Sequence, residues 1–435
     1  MAQHLHSPAG NNFAPETEGD HAPDGVLSRF LGSLPARANI PLRLVLWNGK
    51  SVDLGPGARV SLQLKDARAL RYLLSPTIDS LAEAYVNGHF DVIGSVADVV
   101  DVAMRLAASG ESSAGKFARL FSPVRHNKAL DKSSIAHHYD VSNAFYQQWL
   151  DPRMVYSCAY FQTGQEALAD AQLAKLDHVL NKIMLKKDER LLDIGCGWGA
   201  LAMRAAEKYG ARVVGVTLSE NQHELARERV AQAGLRTRVD IRLLDYRDLT
   251  PNDGPFDKIT SIGMFEHVGL KHLGTYFTKI NSLLRDGGLV LNHGITSTDP
   301  GSGNTPLGAG EFIDKYVFPN GELPHISLAL HEMQVGGLEA LDVECLRRHY
   351  ARTLSQWSDN FEAGSQASDG ASAAESRVRS LVDEKTWRIW RIYLAGCSHA
   401  FSQNWVSLYQ VLACKAGVGD NLNPTPWSRA YMYQA

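Results

Sequence analysis

The sequence has few cysteines and no pair of them with the spacing of a zinc site. Five are scattered along 435 residues, at positions 158, 196, 345, 397 and 414, and none lies two to four residues from another. An odd, scattered set does not build a disulfide framework, and the missing pair excludes the common structural zinc motifs. We expect reduced thiols in a cytoplasmic protein that binds no metal.

Long apolar runs and an excess of one charge are also missing. The most apolar candidate, residues 95–108, contains Asp98, Asp101 and Arg105 and is shorter than the roughly 18 residues that span a bilayer. The net charge of −3 at pH 7 gives no overall field that favours nucleic acid or an anionic membrane. We expect no nucleic-acid partner, and any attraction to a membrane must come from a local patch.

The first residues lack the features of a targeting segment. Residues 1–25 carry four acids and no Lys or Arg. They have neither the basic start and apolar centre of a secretory signal nor the basic character of a mitochondrial transit peptide. We expect a disordered tail over 1–25.

Residues 26–110 predict a small α+β domain. Strands are expected over 41–49, which ends in an Asn-Gly turn, and over 59–66, and a helix is expected over 70–90. Residues 111–134 then form a basic linker, with five Lys or Arg and one acid, Asp131, between Lys116 and Lys132. A membrane-surface patch and a solvated connector are both compatible with this composition.

From residue 170 onward, short apolar runs alternate with helical segments. Strands are predicted at 190–195, 212–217, 239–245, 257–265 and 288–295. That rhythm is typical of an α/β fold with a doubly wound, mainly parallel sheet. Composition agrees, since 44% hydrophobic and 21% charged residues are usual for a globular protein.

The stretch DIGCGWGA, residues 193–200, follows the first of these strands and opens a helix. Its three glycines allow a tight turn and a close approach to a ligand, and the pattern Gly195-x-Gly197-x-x-Ala200 also satisfies a dinucleotide fingerprint. Two details favour another ligand. Asp193 places a carboxylate where a cationic group could bind, and the second strand ends in Thr217 and Ser219 without the acid expected for a ribose. The pattern favours S-adenosylmethionine (SAM), whose sulfonium is positive.

Three further motifs have to be considered with that loop. They are HYDVSNAFYQQWLDPRMVYSCAYF (138–161), MFEHVG (264–269) and DKYVFPNGELP (314–324), continued by RRHYARTLSQW (347–357) and YLAGCSHAF (393–401). Together they resemble the cyclopropane-fatty-acyl-phospholipid synthase family, which includes the mycolic acid cyclopropane synthases, over about 135–415. The resemblance implies a class I SAM-methyltransferase fold, with a catalytic domain over 135–435. Residues 26–110 look like the smaller, lipid-docking domain of the phospholipid-modifying members.

The resemblance also implies functional residues. The residues that would hold SAM are Tyr156, Ser157, Asp193, Gly195, Gly197, Gly199, Thr217, Leu218, Gln222, Tyr246 and Arg247. A bicarbonate cofactor would be held by Cys158, Glu266, His293, Ile295 through its backbone, and Tyr316. Cys397 corresponds to a cysteine once regarded as the active-site residue of the family. Two departures from the family pattern are NHGIT (292–296) and AFSQN (400–404).

The chemistry explains why such residues are needed. An alkene that attacks the SAM methyl group leaves a positive centre on the neighbouring carbon, and the ring closes when a base removes a proton from the new carbon. The site must therefore exclude water, tolerate a cation and supply a base. Glu266 is interpreted as a residue of the catalytic site that orients the bicarbonate, and His293 as a hydrogen-bond donor to it. His267 is interpreted as a structural neighbour. A thiol nucleophile is not required, so a catalytic role for Cys397 is disfavoured.

Transfer of an acyl chain into water costs about 0.8 kcal/mol per methylene group. We therefore expect the substrate, an unsaturated phospholipid, to pass directly from the inner face of the membrane into an apolar tunnel, with peripheral contact by the protein. Three alternatives stay open: methyl or methylene branching of the acyl chain, a soluble small-molecule methyltransferase, and a module without catalysis. The oligomeric state is also open, with a homodimer as one option.

Overall fold

Two β-sheets organise the chain in the computed structural model, which describes residues 39–109, 141–301, 309–319, 321–366, 376–415, 423 and 425–433. The smaller sheet uses residues 42–93 and the larger one residues 190–415. The predicted tail at 1–25 and the predicted basic linker at 111–134 lie outside the described residues. The fold class is confirmed, since a small α+β unit precedes an α/β unit.

The smaller sheet has four strands within the described residues, in the order β2-β1-β3-β4. Its elements are β1 (Leu42–Val45), β2 (Ser51–Asp53), β3 (Val60–Leu64), α1 (Leu70–Leu74), α2 (Ile78–Val86), β4 (Phe90–Ile93) and α3 (Val96–Ser109). The single helix expected over 70–90 is wrong, because Ser75 and Pro76 separate α1 from α2. Proline lacks an amide hydrogen and disfavours a helical residue before it. Thr77 then starts α2 by accepting a hydrogen bond from the Ser80 amide at 3.1 Å.

The larger sheet has seven strands within the described residues, in the order β10-β11-β9-β8-β5-β6-β7. Its strands are β5 (Arg190–Ile194), β6 (Arg212–Thr217), β7 (Val239–Leu243), β8 (Phe256–Ile262), β9 (Leu284–Ser297), β10 (Leu338–Cys345) and β11 (Val406–Lys415). Neighbours among β5 to β9 are parallel, and β11 runs antiparallel to both β9 and β10. The five predicted strands are confirmed, β6 with its predicted ends and the other four with shifted ends, whereas β10 and β11 were not predicted.

Helices alternate with these strands and pack on the larger sheet. The helices that follow the smaller unit are α4 (Asn143–Tyr146), α5 (Leu168–Lys182), α6 (Ala200–Tyr209), α7 (Glu220–Gln232), α8 (Leu273–Leu283), α9 (Ala309–Tyr316), α10 (Ile326–Val335), α11 (Arg347–Ser365) and α12 (Glu384–Ser402). Among them, α6 and α7 contact β6 and β7, and α8, α10, α11 and α12 contact β9, β10 or β11. Leu191, Leu192 and Ile194 of β5 are buried, as expected for a strand covered on both faces. In the described parts of the chain, no helix has the length and apolar character needed to cross a membrane.

Helix α12 connects the two units. Its Arg388 donates to the backbone oxygens of Tyr85 and Phe90, at 2.9 and 3.2 Å, and forms an ion pair with Asp91. Trp390 and Tyr393 of the same helix are buried in the main core. One helix therefore contacts the smaller unit and also contributes to the interior of the larger one.

Candidate active site

The glycine loop between β5 and α6 adopts a backbone conformation that is unfavourable for residues with a side chain. Gly195, Gly197 and Gly199 have φ values of 76°, 54° and 82°, in the left-handed region that favours glycine. The amides of Gly195 and Cys196 donate to the oxygen of Val216 at 2.9 and 3.0 Å, which ties the loop to β6. A Cβ added at Gly197 would meet no atom within 4 Å. The backbone there is consequently open to a ligand.

A cavity of about 140 Å³ lies beside this loop, at the carboxyl ends of the parallel strands, where ligands of open α/β sheets bind. Nine of the residues predicted to bind SAM line it, namely Tyr156, Ser157, Asp193, Gly195, Gly197, Thr217, Leu218, Gln222 and Tyr246. The other two do not line it. Gly199 caps α6 and faces Ala226, and Arg247 forms an ion pair with Asp245 at 2.6 Å.

Two buried groups of opposite charge line the cavity. Asp193 accepts a hydrogen bond from the Thr260 hydroxyl at 2.9 Å, and burial raises the pKa of Asp193 to about 6. Lys175 of α5 is only 2% exposed, donates to the Ser157 hydroxyl at 2.9 Å, and has its pKa lowered to about 8 by burial. Sequence reasoning missed Lys175. Its helical spacing from Ala171 and Val179, both fully buried, was the available signal.

Glu266 lies on a short 3-10 turn, Phe265–His267, just after β8. Its Oε1 accepts a hydrogen bond of 2.6 Å from the Ile295 amide of the neighbouring strand β9. Its Oε2 is buried and has no hydrogen-bond partner among the described residues. Burial raises the pKa of Glu266 to about 7, and the Ile295 amide opposes that shift. The structure therefore holds one carboxylate oxygen in place and leaves the other buried and unpaired.

His293 lies on β9, two residues before Ile295, and is 1% exposed. Its Nδ1 lies 3.2 Å from Nε2 of Gln410 on β11, and within the described residues its own Nε2 is buried without a partner. Burial, together with the positive charges of Lys175 and Lys182, lowers the pKa of His293 well below its ordinary value. The imidazole is thus neutral at physiological pH.

Both cysteines of the predicted site are protonated thiols. Burial raises the pKa of Cys158 well above its ordinary value, and its Sγ donates to the Ala159 oxygen at 3.2 Å. Burial also raises the pKa of Cys397, on α12, to about 12. Because the thiolate is the reactive form of cysteine, neither environment favours nucleophilic chemistry.

Two other predicted residues have different surroundings. Tyr316 ends α9, where its ring lies 5.1 Å from that of Phe312 and where Lys315 and Lys385 place their ammonium groups over it at 5.0 and 5.7 Å. His267, interpreted as structural, lines the cavity, and its ring lies 5.7 Å from that of Phe318.

A cluster of aromatic rings packs against Tyr156, and its members are Tyr146, Trp149, Trp357, Trp390 and Tyr393. The hydroxyl groups of Tyr156 and Tyr393 lie 3.1 Å apart. Trp149 and Trp357 are fully buried. Tyr156 lines the cavity, and the other rings of the cluster pack behind it. Their faces are of the kind that attracts positive charge.

Family comparisons agree with the two units. Residues 126–411 match the family described as mycolic acid cyclopropane synthetase. Residues 32–114 match a second family, which is described as a domain of unknown function.

Individual proteins are similar over much of the chain. A probable fatty acid methyltransferase from Pseudomonas putida is 46% identical over 398 residues, which are 91% of this chain and 97% of that protein. The cyclopropane-fatty-acyl-phospholipid synthase of Escherichia coli (strain K12) is 39% identical over 275 residues, which are 63% and 66% of the two chains. The crystal structure of the mycolic acid cyclopropane synthase CmaA1, complexed with SAH and CTAB, is 34% identical with a TM-score of 0.59, and the match covers 65% of this chain and 98% of that one.

Proposed function

The chain belongs to the mycolic acid cyclopropane synthetase family, and on that premise we propose that it modifies an unsaturated fatty acyl chain of a membrane phospholipid. SAM would supply a one-carbon group to the cis double bond, and the product would carry a cyclopropane ring. The proposal makes the protein a SAM-dependent transferase, with the cavity beside the glycine loop as its cofactor site.

The residues of the cavity fit SAM. The open backbone at Gly197 permits close approach of a flat or extended ligand. Asp193 and Lys175 place a carboxylate and an ammonium in one cavity, which suits a ligand that carries an amino acid and a sulfonium. The related CmaA1 structure contains SAH, which supports the same assignment.

One observation carries the proposed chemistry: two buried polar atoms have no partner among the described residues, Oε2 of Glu266 on the turn after β8 and Nε2 of His293 on the neighbouring strand β9. An unsatisfied buried polar group costs about 1–3 kcal/mol, so a small polar group is expected there. The donor set fits bicarbonate, which has oxygens that accept and a hydroxyl that donates. When bound, it would supply the base that takes the proton left by ring closure.

The other predicted bicarbonate ligands fit less directly. The Ile295 amide donates to Glu266, so it orients the carboxylate. The Cys158 thiol is buried and protonated, and Tyr316 stays a predicted ligand. The aromatic cluster at Tyr156 would exclude water and stabilise positive charge on the acyl chain.

A phospholipid is proposed as the substrate, rather than a soluble molecule, because the chain carries the smaller unit packed on α12. The acyl chain can pass from the bilayer into the protein without exposure to water only if the protein contacts the membrane directly. We therefore place it in the cytoplasm, in peripheral contact with the inner face of the membrane.

The test is incubation of the full chain with unsaturated phospholipid vesicles and methyl-labelled SAM, followed by mass analysis of the lipid. A labelled acyl chain that contains a cyclopropane ring is the expected product. Unmodified lipid together with a labelled water-soluble amine would contradict the proposal.

Methyl branching is the second candidate, favoured by the name of the Pseudomonas putida relative, a probable fatty acid methyltransferase. The same cation would then undergo a 1,2-hydride shift onto the neighbouring carbon and lose a proton from the new methyl group, which leaves a methylene branch that a reductant converts into a methyl branch. Proton NMR of the isolated lipid separates ring protons from alkene protons, so one sample decides between the products.

A further inference from the structure

We infer that Gln410 is a positioning residue that holds His293 in the tautomer with its proton on Nε2, ready to donate from β9, two residues before the Ile295 amide that holds Glu266. The inference rests on the proposed function, because it assigns a role within the same site. It concerns a residue of β11, a strand outside all the motifs that indicated the function.

The pairing of β9 with β11 brings Gln410 and His293 together. β11 runs antiparallel to β9, and Gln410 lies directly opposite His293 in their register. Both side chains are buried, with 0% and 1% exposure. The distance between Gln410 Nε2 and His293 Nδ1 is 3.2 Å, the upper end of the range for a hydrogen bond that involves nitrogen.

The chemistry of the two groups fixes the proton. An amide nitrogen only donates, so His293 Nδ1 must accept and cannot carry a hydrogen. The buried ring is neutral, and a neutral imidazole has one proton. That proton is consequently on Nε2, since the bond made by one ring nitrogen determines the state of the other.

The consequence is a defined role for His293. An Nε2–H group donates a hydrogen bond and cannot accept a proton at the same atom. His293 thus orients an oxygen acceptor, and it is not the base of the reaction. Its Nε2 has no partner within the described residues, so the hydrogen bond remains available for that acceptor.

A purely structural role would not require glutamine here. Gln410 lies between Leu408 and Leu412 on β11, all of them buried, and its Oε1 lacks a partner among the described residues. A methionine would fill a similar volume without an unpaired polar atom, whose burial is unfavourable. The amide is explained by what it donates to His293.

The experiment compares the wild type with Gln410→Met by ¹⁵N NMR of histidine-labelled full-length protein. The His293 signals are identified by their absence in His293→Asn. We expect protonated Nε2 and unprotonated Nδ1 in the wild type, and a mixture of tautomers in Gln410→Met. We also expect kcat on vesicles to fall roughly tenfold or more in Gln410→Met, with the Kd for SAM changed less than twofold.

Gln356→Met is the matched control, because its amide donates to the Glu166 oxygen at 3.1 Å on a different element. It should keep both the His293 tautomer and kcat. A protonated Nδ1 in the wild type would overturn the inference, as would an unchanged tautomer in Gln410→Met, even with lower activity. If the wild type modifies no lipid, the proposed function fails, and the NMR comparison still decides the role of Gln410.

Discussion

At the scale of single residues, Glu266 has a carboxyl whose protonation changes near neutral pH. Burial raises its pKa from an ordinary value of about 4.5 to about 7. The folded protein therefore binds this proton more tightly than the unfolded chain. The resulting contribution to stability is present below about pH 4.5 and is lost as pH rises through about 7.

We predict opposite effects of Glu266→Gln on stability and on activity. Above pH 7 the variant should be more stable than the wild type, by roughly 2–3 kcal/mol, because no buried charge has to form. Its kcat should fall by at least tenfold, and the loss of activity that we expect for the wild type below about pH 7 should be absent from the variant. Thermal melts and pH–rate profiles measure both effects. An unchanged acid limb in the variant would remove Glu266 from the reaction.

Lys175 and Lys182 provide a second prediction at this scale, since both are buried lysines of α5. Lys175 lines the cavity, whereas Lys182 forms an ion pair with Glu344. Although burial opposes it, His178 and Lys182 lower the pKa of Glu344 to about 2.

Lys175→Met should weaken SAM binding roughly tenfold, because the charge that balances Asp193 and orients Ser157 is lost. Lys182→Met should leave the Kd for SAM nearly unchanged and reduce stability by about 3 kcal/mol, because Glu344 loses its lysine partner and keeps only His178. Calorimetric titration and thermal melts distinguish the two. Equal SAM affinity of Lys175→Met and the wild type would contradict the cofactor role of Lys175.

At the scale of elements, β9 and the turn that carries Glu266 are in unusually close contact. A Cβ at Gly294 would lie 1.9 Å from a ring carbon of Phe265, a distance that real structures do not allow. Gly294 belongs to the NHGIT stretch, where the sequence departs from the family pattern. The structure explains this glycine by the position of the Phe265 ring.

Gly294→Ala should displace Phe265 and with it the Glu266 turn. We expect a loss of about 1–3 kcal/mol of stability and a strong decrease in kcat, measured by chemical denaturation and by turnover. Gly396→Ala is the control, because a Cβ there meets no atom within 4 Å and alanine favours a helix by up to about 1 kcal/mol. Full activity of Gly294→Ala would show that the turn does not depend on this contact.

At the scale of the whole molecule, Arg388 of α12 connects the smaller unit to the interior of the larger one. Its partners are Asp91 and the backbone oxygens of Tyr85 and Phe90. Arg388→Ala should increase hydrogen exchange across residues 42–93 and lower activity on vesicles, with SAM affinity maintained. The expected loss of stability is roughly 2–4 kcal/mol. Arg105→Ala removes an exposed ion pair with Asp101. This control should change neither the hydrogen exchange of residues 42–93 nor the activity on vesicles.

Membrane contact is the second prediction at this scale. Reversing the charges of Lys116, Arg119, Arg125 and Lys128 together should weaken sedimentation with anionic vesicles, since each basic residue near such a surface contributes about 1 kcal/mol. Turnover of detergent-dispersed lipid should be affected less. Unchanged sedimentation would show that residues 111–134 do not bind the membrane and only connect the two units.

Local patterns predicted the elements that consist of neighbouring residues. The glycine loop at 195–199 and the strand before it were predicted correctly, because left-handed turns and buried parallel strands have direct sequence signatures. The helix at 70–90 was predicted too long because the effect of Pro76 was not considered. Lys175 was missed because a lysine on an apolar helix face is usually read as exposed.

The sequence by itself determined the α/β rhythm, the loop that would hold a cofactor, and the family, since each depends on residues close in the chain. Only the tertiary structure decided which distant groups meet. Gln410 lies 117 residues from His293, and Lys175 lies 18 residues from Ser157. Burial then set the protonation of Glu266, His293 and the two thiols. Desolvation depends on everything packed around a group, which local sequence does not specify.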